Sequence, residues 1–97
     1  MTTLEARLAT LAAAGQTVTY GELARALGLR LADLTSALEA MMEADNAAGL
    51  PFRAAVLCQR LSQRHLPAPG FFIKATALGH DVSDPAAFVA AHRNRLR

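Results

Sequence analysis

The segment Val18 to Leu29, V-T-Y-G-E-L-A-R-A-L-G-L, carries both a start and a stop for one short helix. That punctuation constrains the fold more than any other feature of the chain. The Thr19 hydroxyl can accept the backbone N–H of Glu22 while the Glu22 carboxylate reaches back to the Thr19 N–H, and Val18 can staple against Leu23. Gly28 can take the left-handed conformation that ends a helix. The pattern predicts a helix from Tyr20 to Leu27 with Leu23, Ala24 and Leu27 inward. After the turn Gly28-Leu29-Arg30, residues Leu31, Leu34, Leu38 and Met41 keep a period of three or four to about Asp45, and Asn46 to Gly49 ends the run. Two amphipathic helices joined by a tight glycine turn are therefore expected.

Apolar residues make up 53% of the chain and aromatics only 5%, so the apolar content is mostly Ala and Leu, which support helix. Ninety-seven residues suit one domain that buries roughly two-thirds of its extended surface without a metal or disulfide staple. Thr2 with Glu5 repeats the capping-box spacing, and Leu4, Leu8 and Leu11 share a face, which predicts a first helix from Thr3 to Ala14 stopped at Gly15. Gln16 to Val18 is then a link. Beyond Gly49 the texture changes. Pro51 to Gln59 is a short apolar run bounded by turn signals and is expected as a strand, and the polar, proline-rich Ser62 to Gly70 as a loop. Phe71 to Leu78 fits either a second strand, which would complete a β-hairpin, or a helix ended by Gly79. Asp84-Pro85 is an N-cap and first-turn pair that opens a last helix to about Leu96, with Phe88 and Val89 inward. The fold class expected is mainly α with a small β element. No apolar run approaches the roughly 18 residues of a membrane span, and M-T-T-L-E-A-R lacks the charged and apolar regions of a signal peptide. The expectation is a cytoplasmic protein with no membrane partner, in keeping with a single cysteine, Cys58.

Three helices followed by a strand–loop unit is the order of a winged helix-turn-helix domain: helix-turn-helix about 19–45, wing-like strand and loop about 51–74, C-terminal helix 85–96. More narrowly, T-V-T-Y-G-E-L-A-R-A-L-G resembles the start of the DNA-binding half of the alkylguanine alkyltransferases and alkyltransferase-like proteins, where V-T-Y-G-x-I-A-x-x-L-G opens the helix-turn-helix. In that superfamily Pro-Cys-His-Arg-Val, or Pro-Trp-His-Arg-Val in non-catalytic relatives, follows the third helix. Here Leu50-Pro51-Phe52-Arg53-Ala54 stands in that place, with Phe52 at the reactive position and no His before the Arg. The resemblance covers about the first half of the chain and implies a DNA-binding fold without the alkyl-transfer chemistry. The chain also resembles small bacterial proteins that share a G-L-P, P-x-P-G-F-F and L-G layout, which implies a common fold and supplies no activity.

Charge is divided unevenly. Residues 1–50 hold three arginines against six carboxylates, a net of −3, and residues 51–97 hold seven basic residues against two aspartates, a net of +5. Nine of the ten basic residues are arginine, suited to bidentate contact with phosphate or carboxylate. On the third helix Asp33 and Glu39 would face a polyanion, which makes that helix a poor groove reader despite Arg30, Thr35 and Ser36. The residues expected to contact nucleic acid are Arg30, Arg53, Arg60 and Arg64, mostly at phosphates and with weak sequence reading. Cys58 at the end of V-L-C is expected as a buried hydrophobe rather than a nucleophile. His65, His80 and His92 match no compact metal spacing and are expected as surface or capping residues. Glu39 and Glu43 are expected on a solvated face, and Tyr20, Phe52, Phe71, Phe72 and Phe88 in the core. No catalytic residue, metal or cofactor is expected. The alternative to a nucleic-acid-binding module is a protein-interaction or dimerisation module, docking through the acidic third helix or the Ala- and Leu-rich first helix.

Overall fold

A computed structural model describes residues 3–97. Five α-helices, two two-residue strands and one 3-10 turn follow in the order α1 (Thr3–Ala13), β1 (Val18–Thr19), α2 (Tyr20–Leu27), α3 (Leu31–Ala47), the 3-10 turn Arg53–Val56, β2 (Leu57–Cys58), α4 (Pro69–Ala77) and α5 (Pro85–Leu96). The chain is mainly helical, with β1 and β2 paired in parallel, Val18 opposite Leu57 and Thr19 opposite Cys58. None of the described helices is long and apolar enough to cross a membrane.

The local signals at α2 act as their chemistry dictates. The Glu22 N–H donates to Thr19 Oγ1 at 3.2 Å and the Thr19 N–H donates to Glu22 Oε1 at 3.2 Å, closing the capping box. At the other end Gly28 sits at φ +68°, a conformation that costs any residue with a Cβ, and the Leu29 N–H returns to the Ala24 carbonyl at 2.9 Å. Asp84 likewise caps α5 by accepting the Ala87 N–H at 3.2 Å, with Pro85 in the first turn. The expected Thr2–Glu5 cap lies outside the described residues.

The middle of the chain departs from expectation. Pro51–Gln59 is not one strand: Arg53–Val56 winds into a 3-10 turn and only Leu57 and Cys58 pair, with Val18 and Thr19, the first of which was expected in a link. An apolar run enclosed on all sides does not reveal its conformation through periodicity, and Ala54-Ala55 has little preference for strand. Phe71–Leu78 is helical rather than strand, because Pro69 opens α4 and the Gly79 and His80 N–H groups close it on the carbonyls of Thr76 and Ala75. Among the described residues no β-hairpin wing forms.

The 3-10 turn is the centre of the molecule. It packs against α1, α3 and α5; Phe52, Ala55 and Leu57 have no exposed surface, and Ala54 and Val56 almost none. The small side chains of Ala54 and Ala55 let three helices approach one another. The turn has no side-chain cap of its own, and a buried backbone N–H left without an acceptor costs about 1–3 kcal/mol. Residues from other elements supply the acceptors. His92 Nδ1 on α5 accepts the Phe52 N–H at 2.9 Å, and Asp45 Oδ2 on α3 accepts the Arg53 N–H at 3.0 Å. At the opposite end the Arg93 guanidinium donates to the carbonyls of Ala55 at 2.7 Å and Leu57 at 3.3 Å.

These contacts bear on the histidines, expected at the surface or as caps. His92 takes the capping role, accepting the Phe52 N–H, and does so from a buried position, stacked on Phe52 with ring centroids 5.0 Å apart. His80 is half-buried against Phe52 and bonded through Nε2 to Asn46 Oδ1 at 2.7 Å. Asp45 is almost fully buried. Phe52 and Phe71 are buried, and Phe72, Phe88 and Tyr20 pack against the core. Cys58 is buried as well.

Candidate nucleic-acid interface

The parallel register that sets Thr19 opposite Cys58 brings the residues after each strand to the same end. Gln59 and Arg60 therefore lie beside Tyr20 and Gly21, the first turn of α2, and these residues with Thr19, Glu22, Arg25 and Leu31 line an open cleft of about 760 Å³. Arg25 projects from the polar face of α2, opposite the buried Leu23 and Ala24. Glu22 is the acidic residue lining this cleft. Its carboxyl is held below the usual carboxylate range by the Thr19 hydroxyl and N–H, so it stays charged and offsets part of the cationic field.

Arg60 and Arg64 ride on a loop that is closed rather than slack. The Gln59 N–H donates to the Leu66 carbonyl at 2.8 Å across its base, and the Leu66 N–H donates to Ser62 Oγ at 2.9 Å within it. Arg93 reaches from α5 to the His65 carbonyl at 2.5 Å, where His65 adopts φ +53°. On the far side the Ala68 N–H donates to Tyr20 Oη at 3.1 Å. Burial pushes the Tyr20 phenol up, and burial pulls the Arg93 guanidinium down, since both charged forms are disfavoured away from water. The loop occupies the place in the chain where a wing was expected, without a second strand.

The structure separates the four arginines expected to act together. Arg60 lines the cleft at the start of α2. Arg30 immediately precedes α3 and is 91% exposed, paired with Asp33 at 3.4 Å; an exposed pair of this kind is worth little and exchanges readily for another anion. Arg64 lies on the other flank of the loop, in a separate cleft with Arg93 and Arg97. Arg53 does not offer a free guanidinium, because Asp45 Oδ1 holds its Nη2 at 2.8 Å and its Nε at 3.0 Å. Arg93 is committed to carbonyls, and Lys74 is paired with Glu43 at 2.6 Å. The basic excess of the second half is thus partly consumed inside the fold. Sequence reasoning missed Arg25; its position on the polar face of α2 was the available signal, but its proximity to Arg60 depends on the strand pairing. No group of three or more potential metal ligands occurs among the described residues.

Compared with known proteins, the chain matches no family model, no curated sequence and no solved structure.

Proposed function

We propose that the chain is a non-enzymatic, winged-helix-like module that binds nucleic acid mainly through phosphate contacts from Arg25, Arg30 and Arg60. The observation that carries this reading is the braced loop, which sets Arg60 by the amino end of α2, on the cleft that Arg25 lines from the last turn of the same helix. The positive end of a helix and two guanidinium groups are complementary to a phosphate. The α2–Gly28–α3 pair supports a helix-turn-helix arrangement. Its third helix is a weak base reader, since Glu39 is exposed and the Thr35 hydroxyl already donates to the Leu31 carbonyl at 3.0 Å. Arg64, facing away, adds long-range attraction more than a contact.

Fluorescence anisotropy with labelled random duplex and single-stranded DNA at low and physiological salt tests the reading. Binding should fall steeply with salt through counterion release, and Arg60→Gln should flatten the log–log salt slope by about 1. Arg64→Gln should change the slope less. Absence of binding at low salt, or equal binding by wild type and an Arg25→Gln/Arg60→Gln double variant, refutes it.

A second reading, docking of a protein or a second copy, is favoured by Leu31 and Ile73, which are 56% and 70% exposed. Leu31 also borders a shallow apolar cleft of about 230 Å³ with Phe71 and Ala68. A dimer in sedimentation that Leu31→Ser dissociates, together with no DNA binding, would decide for it.

A further inference from the structure

On the opposite flank of the loop from Arg60 lies a second cleft, of about 310 Å³, enclosed by the end of α1, the link after it, α5 and the loop. Its lining has two chemistries. Val56, Leu66, Ala86, Ala90 and Leu96 supply apolar surface, and Arg64, Arg93 and Arg97 supply guanidinium groups. No aspartate or glutamate lines it. Gly15 makes room for Arg97: a Cβ there would sit 3.1 Å from Arg97 Nη2, and the φ of +68° already disfavours any other residue. Among the described residues the partners of Arg93 are carbonyl oxygens, with no carboxylate in contact with it.

Arginine side chains gathered in one cleft with apolar ones, and with no aspartate or glutamate side chain among them, form a site for an anion that brings its own apolar surface. We propose that this cleft binds a small organic carboxylate, its apolar body against Leu66, Ala90 and Leu96 and its carboxylate between Arg64 and Arg97. The fork of a guanidinium matches the two oxygens of a carboxylate, and the volume lies at the lower end of the range for small-molecule sites. This inference stands apart from the nucleic-acid reading, which uses the other flank of the loop.

The probe is hexanoate, with hexanol and inorganic phosphate as controls at matched ionic strength, read by thermal unfolding and by amide NMR shifts. A ligand that binds only the folded chain raises Tm in proportion to the logarithm of its concentration once sites are saturated. Hexanoate should raise Tm and shift the amides of Gly15 and Ala90, while hexanol and phosphate do neither. Arg97→Gln should weaken hexanoate about tenfold, as expected for loss of a charge-assisted contact, and Ala90→Phe should fill the cleft and abolish the shift. Ala90 and Arg97 are exposed, so these variants retain the fold, and unchanged far-UV circular dichroism checks it. The proposal is overturned if hexanoate produces no shift at about 10 mM, if hexanol or phosphate matches it, or if Ala90→Phe binds as wild type. Arg25→Gln leaves hexanoate binding unchanged, which separates this site from the nucleic-acid surface.

Discussion

Helix α2 and the 3-10 turn Arg53–Val56 are both short, and polar side chains satisfy backbone groups at the start of each, yet they draw those side chains from different distances. The Thr19–Glu22 box lies within three residues of the sequence, and Gly28 follows the last residue of the helix. The turn takes its acceptors from Asp45, eight residues before Arg53, and from His92, forty residues after Phe52. A locally capped element carries its own instructions and tolerates the loss of one of them. An element capped by distant residues exists only when the surrounding helices have assembled, so each of its caps also joins two parts of the molecule.

If that contrast is right, damage to the distant caps should exceed damage to the local ones. Asp45→Ala should have the largest effect, about 3 kcal/mol in urea unfolding, because it leaves the Arg53 N–H and a partly buried guanidinium without their partner. His92→Phe should follow at about 2 kcal/mol: the ring stack on Phe52 survives but the Phe52 N–H loses its acceptor.

His92 also gives the comparison a pH axis. Burial first, and then repulsion from His80 and Arg95, holds its pKa below the ordinary 6.5. As pH falls the unfolded chain protonates before the folded one, so stability is full above about 6.5 and declines below it. His92→Phe should reduce that decline. Thr19→Ala should cost about 1 kcal/mol, level through the histidine range and changing only in the more acidic range where Glu22 protonates. Smallest of all, Lys74→Met should change stability by less than about 1 kcal/mol, since the Glu43 partner is largely exposed. A cost for Thr19→Ala equal to that for Asp45→Ala would break the comparison.

The same contrast explains what could be read in the chain. Tyr20–Leu27 and Pro85–Leu96 emerge with their observed bounds because Thr19, Gly28, Asp84 and Pro85 mark them locally. The apolar segment after Pro51 carries no equivalent mark, and the residues that decide its shape look, in sequence, like a surface acid, a spare histidine and part of a basic tail. The mainly helical class with a small β element was therefore legible, whereas the partner and register of β2 were not. Arg60 and Arg64 could be found as basic residues near a loop, but four residues of spacing say nothing of which side of a closed loop each will face. Nor could charge counting foresee that Arg53 would be answered by Asp45 across the chain's change of sign.

The grip of Arg93 on the carbonyls of Ala55, Leu57 and His65 bears on how this protein meets a protease. Arg60 and Arg64 offer trypsin two exposed bonds, but cleavage requires a segment to enter the enzyme in extended form. Peeling the loop away would break its basal hydrogen bonds and strip a half-buried guanidinium of an acceptor. Its resistance to digestion then depends on α5, so that two exposed arginines are guarded by a half-buried one.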